Sequence, residues 1–155
     1  MASHEPIANP LFLSMARYLT VQRDGIVISP GERPRASVDV RILRHGSART
    51  LYASRQPICR SLDGAHPLTD AKKLCSRCEQ RELCTKQTRL DLFLDGLPYR
   101  LLLAFSSDRN FRCYVFELDK LRLRVEDGMH RIDVVPRPRW GELRFSRIPD
   151  SIPGC

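Results

Sequence analysis

The sequence predicts a mainly β domain, a small antiparallel barrel or sandwich, with a cysteine-rich segment inserted in it. Apolar and polar residues alternate in about seven short stretches, the pattern of half-buried strands. The dipeptides Asp95-Gly96 and Asp127-Gly128 favour tight hairpins. A chain of 155 residues is long enough to form one domain with its own hydrophobic core.

The N-terminal region is predicted to lie outside this domain. Apolar residues recur at helical spacing between Pro10 and Gln22, which indicates a docking helix or a loosely held arm. Residues 29–37, SPGERPRAS, combine two prolines and a glycine with charges and are predicted to be a linker. We therefore expect an arm and linker over residues 1–37, a β domain over 38–148 and a tail over 149–155.

The predicted strands follow in order along the domain. The first is VDVRILR at residues 38–44, and LDLFL and PYRLLLAF then flank Asp95-Gly96. FRCYVFEL at 111–118 comes next, LRLRV and HRIDVV flank Asp127-Gly128, and ELRFSRI ends the domain. Residues 69–90 interrupt this pattern without any glycine or proline, so a helix capped by Thr69 or Asp70 is predicted there.

Four cysteines in and before this segment predict a metal site. Their spacing is C-x15-C-x2-C-x5-C, formed by Cys59, Cys75, Cys78 and Cys84. Two thiols separated by two residues can reach one ion, and a second pair completes the tetrahedron of a structural zinc site. The metal-bearing insertion is therefore predicted to span residues 59–90, with Zn²⁺ as the ion.

Other interpretations of the cysteines stay open. Residues 71–84, AKKLCSRCEQRELC, resemble the WhiB-type iron-sulfur regulators, which implies a 4Fe-4S cluster on the same thiols. The thiols could also be unrelated buried side chains. Cys113 alternates with Phe111 and Val115 and is predicted to lie in the core, whereas Cys155 is predicted to be a free terminal thiol. His66 is interpreted as a solvated loop residue.

The charge of the chain predicts a polyanionic partner. The net charge is +8 and the pI is about 9.6, and 22 of the 26 basic residues are arginine. Arginine suits bidentate phosphate contacts and stacks on bases, so single-stranded DNA or RNA is the expected partner. A codon bias towards arginine would give the same composition.

Strand alternation suggests which side chains would contact a nucleic acid. Arginines that alternate with buried residues would share an outer sheet face with a few aromatic rings, as in proteins that bind single strands. The predicted contacts are Arg41, Phe93, Arg112, Tyr114, Arg122, Arg124, Arg131 and Arg144. The alternative is that the aromatic rings lie inside a two-sheet core and the arginines form a solvated surface.

Residues 38–147 also resemble small zinc-binding proteins of phages and integrative elements. The resemblance is carried by a C-x-S-x-D-G loop, three further cysteines and a later Ser-Ser, Asn-Phe and Tyr pattern. The matching residues are Cys59, Ser61, Asp63, Gly64, Cys75, Cys78, Cys84, Ser106, Ser107, Asn110, Phe111 and Tyr114. The resemblance implies an OB-like barrel with a zinc-bearing insertion that binds single-stranded DNA.

A binding protein is expected, not an enzyme. Four thiolates would close a metal to water, so Asp63, His66 and Asp70 would have no open metal position to use. The phosphate-binding motifs GxxxxGK[ST] and GxGxxG are absent from the sequence. Neither a signal peptide nor a membrane span is predicted, so we expect a cytoplasmic protein. A role as a small subunit of a larger nucleoprotein complex is the alternative.

Overall fold

The computed structural model describes residues 16–70 and 72–149, and strands dominate this part of the chain. The nine strands are β1 (Arg17–Tyr18), β2 (Thr20–Gln22), β3 (Gly25–Val27), β4 (Ser37–Ala53), β5 (Gln56–Ser61), β6 (Thr85–Leu94), β7 (Leu97–Leu103), β8 (Met129–Pro136) and β9 (Gly141–Ile148). One α-helix, α1 (Phe105–Lys120), and two short 3-10 turns, Cys75–Arg77 and Arg81–Leu83, complete it. The mainly β prediction is confirmed.

The long strand β4 organises the main sheet, whose order is β1-β7-β6-β4-β8-β9. Residues 37–40 of β4 pair with β8, residues 41–50 with β6 and residues 49–53 with β5. All neighbours are antiparallel except β1 and β7, and β2 and β3 form a separate hairpin. Within the described residues the sheets do not close into a barrel.

The hairpin at Asp95-Gly96 is confirmed. Both residues have positive φ, 52° and 77°, and Leu94 pairs with Leu97 across the turn. Asp127-Gly128 instead precedes β8, and the turn between β8 and β9 is closed by the amide of Arg137, which donates to the carbonyl of Trp140 at 2.8 Å. The predicted strands at residues 38–44, 90–94, 130–135 and 142–148 lie within β4, β6, β8 and β9. The strand predicted at residues 98–105 is β7 up to Leu103, and its last residue, Phe105, begins α1 instead.

The predicted strand FRCYVFEL is wrong, because these residues belong to helix α1. Phe111, Val115 and Leu118 recur at the spacing of one helix face, and this face packs against the sheet, whereas Cys113 is exposed instead of buried. The hydroxyl of Ser107 accepts from the Leu143 amide, and the Asn110 side chain donates to the Leu143 carbonyl, both at 2.9 Å. These bonds fix α1 on β9.

The segment LRLRV is not a strand either. The amide of Leu123 donates to the carbonyl of Leu118 at 2.9 Å, and Arg122 adopts a positive φ of 57°. These features end the helix with a left-handed residue, as in common C-terminal caps. Residues 121–125 therefore form a turn and cannot carry an alternating arginine face.

The core lies between the sheet and α1 and extends to the N-terminal strands. Its members include the fully buried Leu92, Leu101 and Phe111. Leu19 and Ile26 belong to the same core, so the packed region begins before the predicted boundary at residue 38. Of the stretch predicted to be a helix, residues 10–15 lie outside the described residues, and residues 17–18 and 20–22 are strands.

The helix predicted over residues 69–90 is also wrong. Among its described residues, 69–70 and 72–84, the only helical turns before β6 begins at Thr85 are two 3-10 turns. Leu74 and Leu83 are exposed, so the segment has no apolar stripe that could pack a helix on the sheet. Tertiary packing supplies most of a helix's stability in a protein, which explains the irregular backbone. Among the described residues, no helix is long and apolar enough to cross a membrane.

Candidate metal centre and basic lobe

The loop after β5 is built around the carboxylate of Asp63. Its Oδ1 accepts from the Ser61 hydroxyl at 3.0 Å and from the amides of Ala65 and His66 at 2.8 and 2.7 Å. Its Oδ2 lies 2.8 Å from Nδ1 of His66, so this histidine is partnered. Burial raises the pKa of Asp63, but these hydrogen bonds outweigh it and hold that pKa well below its usual value.

The Asp63 loop is fixed to the sheet and to the cysteine segment at once. Gly64 has a φ of 74° and approaches β4 so closely that a Cβ there would lie 3.0 Å from Cβ of Ser47. The guanidinium of Arg89 donates to the Leu62 carbonyl. The amide of Cys75 donates to the Ala65 carbonyl at 2.7 Å. The loop therefore holds the cysteine segment beside β4 and β5.

All four predicted ligand cysteines line one cavity of about 620 Å³. Cys59 comes from β5, Cys75 and Cys78 bracket the first 3-10 turn, and Cys84 follows the second. The amides of Cys78 and Cys84 donate to the carbonyls of Cys75 and Arg81 at 3.1 and 3.2 Å. Cys78 is exposed and the other three are half-buried, so residues distant in sequence meet at the rim of the sheet.

The cysteines of this cavity interact electrostatically. Burial raises the pKa of the Cys84 thiol, and the neighbouring Cys78, Cys59 and Cys75 raise it further, whereas Arg49 opposes the rise. Cys84 therefore lies close enough to the other three cysteines to interact with their charges, and a bound divalent ion would oppose this rise. As the side chains stand, no group of three or more His, Cys, Asp or Glu within residues 16–70 and 72–149 is arranged to hold an ion.

Basic side chains share the cavity wall with the cysteines. They are Arg49, Lys72, Lys73, Arg77 and Arg81, against a single carboxylate, Glu79, among the described lining residues. We call residues 59–84, with Arg49 of β4, the basic lobe. Lys72, Lys73, Arg77 and Arg81 come from the turn regions, whose irregular backbone leaves them in solvent, whereas Arg49 of β4 is half-buried.

The structure places four of the eight predicted nucleic-acid residues on one sheet face. Arg41 pairs in register with Phe93, and Arg131 pairs with Asp39, so the side chains of each pair point the same way. The Nε atom of Arg131 lies 2.9 Å from Oδ1 of Asp39, and Arg144 is exposed opposite Asp133 on this face. Aspartates thus alternate with the arginines, and this face is of mixed charge.

The other four predicted residues lie elsewhere. Arg112 is on α1 and forms an ion pair with Asp108 at 3.1 Å, while Arg122 and Arg124 lie in the turn that follows the helix. Tyr114 faces inwards, where its hydroxyl contacts Nδ1 of the buried His130 at 2.5 Å. Burial raises the pKa of Tyr114 to about 12. The prediction of one continuous arginine and aromatic face is therefore wrong.

A buried charge cluster escaped the sequence reasoning. Asp91 on β6 is 1% exposed, and its carboxylate lies 2.8 Å from Nε of Arg44, 3.0 Å from Nε of Arg100 and 3.3 Å from Nε of Arg89. Burial raises the pKa of Asp91, but the arginines outweigh it and lower that pKa. The ring of Tyr18 lies against the guanidinium of Arg100, 5.8 Å from its centroid. The alternation of apolar and polar residues predicted only that Asp91 lies on the opposite sheet face from the leucines of its strand.

Comparison of the chain with models of known families, with curated proteins and with solved structures finds no match. The site is therefore interpreted from its own geometry and charge.

Proposed function

We propose that this protein binds single-stranded nucleic acid through the basic lobe, whose fold is held by a zinc ion on four cysteines. The observation that carries the proposal is that five basic side chains line the same cavity as Cys59, Cys75, Cys78 and Cys84. The proposal keeps the predicted function but moves the main contact surface from the sheet face to the lobe.

The balance of charge in the lobe supports a polyanionic partner. A Zn²⁺ ion with four thiolates carries two negative charges, and Glu79 adds a third. Five basic residues of the cavity wall exceed these three negative charges by two, so the wall stays positive with the ion bound. Over the whole lobe, the charges of Arg60, Asp63, Asp70 and Glu82 bring the sum to about zero, so the positive charge is local to the cavity wall. Stabilising the thiolates therefore does not require all five basic side chains of the cavity wall. The side chains in excess of that need are available to contact phosphates.

The metal's role in this proposal is structural. Cys59, Cys75, Cys78 and Cys84 would hold it, and the ion would supply a cross-link between β5 and the two turns. Four protein ligands fill a tetrahedral site, so we propose binding and not catalysis. The thiolates require a reducing compartment, in agreement with the cytoplasmic location predicted from the sequence.

The backbone of the lobe favours single strands over duplex. The exposed cations of the lobe, Lys72, Lys73, Arg77 and Arg81, lie in or beside 3-10 turns of three residues and not on the β4–β5 ribbon, whereas major-groove recognition uses a helix or a two-stranded ribbon. A single strand needs only a positive surface that follows its phosphates, with aromatic rings for its bases.

A charge-removal experiment tests the proposal. The triple variant Lys72→Ala, Lys73→Ala, Arg77→Ala removes three exposed cations from the lobe. We expect weaker binding of a labelled single-stranded oligonucleotide by fluorescence anisotropy. The slope of log affinity against log salt should become shallower by about 2, since each lost phosphate contact on a single strand accounts for roughly 0.7.

The matched control removes the same charge elsewhere. Arg33→Ala, Lys120→Ala, Arg124→Ala also deletes three exposed cations, none of which lines the lobe cavity. The control should keep nearly the wild-type salt slope. Equal losses in the two triple variants would mean that only net charge matters and would refute the assignment to the lobe. No binding near physiological salt by the wild type would favour the subunit of a larger complex.

A further inference from the structure

A second cavity lies where helix α1 begins, and two exposed aromatic rings stand at its edge. It has a volume of about 430 Å³, and Val21, Leu102 and Leu143 line it together with the rings of Phe105 and Trp140. Phe105 is 82% exposed and Trp140 is 50% exposed. We call this the aromatic cleft.

The backbone holds both rings at the surface. Phe105 has a φ of 52°, a left-handed conformation that costs an aromatic residue about 1–2 kcal/mol and that tends to be kept where function requires it. The Trp140 carbonyl closes the turn between β8 and β9. The next residue, Gly141, packs so tightly that a Cβ there would lie 2.3 Å from the carbonyl oxygen of Gln22. The position of Trp140 is therefore fixed against β2.

An exposed arginine lies near each of the two aromatic residues in the chain. Arg109 lies one helical turn beyond Phe105, and Arg139 precedes Trp140 in the chain. Both arginines are exposed, and neither forms a salt bridge with another described residue. Arg137, in contrast, is paired with Glu142. The aromatic cleft is therefore lined mainly by apolar residues, and two exposed arginines lie close to its aromatic residues in the chain.

We infer that the aromatic cleft binds an unpaired base of a single-stranded nucleic acid, and this inference rests on the proposed function. The base stacks on Phe105 and Trp140, while Arg109 and Arg139 contact the flanking phosphates. Aromatic rings stack on any base because every base has a π face, so the contact does not depend on sequence. Two exposed aromatic residues at one cleft, in a chain with a net charge of +8, favour a base of a polyanion over an apolar protein side chain.

The single tryptophan of the chain makes the test direct, because all tryptophan fluorescence comes from Trp140. We expect an oligothymidylate to quench this fluorescence, and an abasic oligonucleotide of the same length and charge to leave it unchanged. Phe105→Ala should weaken oligothymidylate binding by about 5- to 160-fold, the range of one lost base stack. Abasic binding should stay as in the wild type.

The matched control is Phe116→Ala. Phe116 lies on the same helix and is 60% exposed, but it does not line the aromatic cleft and contacts Lys120 instead. The Phe116→Ala variant should bind both oligonucleotides like the wild type. Equal quenching by the abasic strand, or no difference between the two phenylalanine variants, would overturn the inference. If the lobe variant still loses affinity in that case, the proposed function stands without the base site. If no oligonucleotide binds, both fail together.

Discussion

Replacing Asp91 by asparagine removes the negative charge at the centre of the buried cluster while keeping the shape of the side chain. The Asp91 side chain is 2% exposed, and those of Arg100 and Arg89 are 9% and 11% exposed, whereas Arg44 is 39% exposed. Arg44 can turn to solvent in the variant, but the guanidiniums of Arg100 and Arg89 stay buried and lose the charge of Asp91. Deleting one partner of a buried ion pair typically costs about 3–5 kcal/mol. We expect a loss near the lower end, about 3 kcal/mol, because the asparagine oxygen still accepts one hydrogen bond.

Urea unfolding followed by circular dichroism measures this loss as a lower midpoint at an unchanged slope. The melting temperature should fall by roughly 6–12 °C for a domain of this size. The control is Asp39→Asn, which also breaks a pair between aspartate and arginine. Its side chains are 46% and 49% exposed, so the expected loss is below about 1 kcal/mol. Similar losses for the two variants would refute the view that burial makes the Asp91 cluster important for stability.

The stability of the wild type should also depend on pH through Asp91. Because the arginines lower its pKa in the folded state, the carboxylate stabilises the fold above its unfolded pKa of about 4, and this stabilisation is lost as the pH falls further. Asp91→Asn should therefore show a flatter decline in acid than the wild type. A parallel decline in both proteins would assign acid sensitivity to other groups.

Two further predictions concern the metal centre and a buried histidine. Cys75→Ser should lower both the bound metal per chain and the melting temperature, because site formation and folding are coupled. The control Cys113→Ser, on the exposed face of α1, should change neither quantity. Loss of metal with an unaltered melting temperature would contradict this prediction, and a brown preparation would indicate an iron-sulfur cluster instead of zinc. His130 is fully buried, and its Nε2 donates to the Val125 carbonyl at 2.7 Å. Burial lowers its pKa in the folded state, so stability should decline as the pH falls below about 6.5, and His130→Gln should remove that component; an unchanged pH profile in the variant would refute it.

The strands of the domain were largely predictable, because alternation and turn chemistry are local signals. Residues 38–44 and the Asp95-Gly96 hairpin are where the sequence predicts them. Helix α1 was mispredicted because the run 111–118 satisfies two periods: Phe111 and Val115 fit both alternation and helical spacing. The contacts of Ser107 and Asn110 with β9 favour the helix, and these contacts depend on residues more than thirty positions away.

The cysteine set could be read from spacing, but its surroundings could not. The prediction that Cys59 joins the other three cysteines requires only that the chain between residues 59 and 75 loop back towards β5. All four cysteines line one cavity. Whether Arg49 lines the same cavity depends on the register of β4 against β5, in which Leu51 pairs with Cys59. The aromatic cleft depends likewise on β2, α1 and the turn before β9 meeting at one place.

The sequence by itself determined the β class, the four candidate ligands and the excess of positive charge, since composition, periodicity and spacing are properties of the chain alone. Only the tertiary structure decided where the charges and rings are presented. A strand pattern says which residues share a face, but not what covers that face. Thus Asp91 is buried among arginines and Tyr114 faces inwards, while Phe105 and Trp140 remain in solvent. Burial depends on long-range packing. Buried residues stabilise the fold, whereas exposed residues are available to a partner.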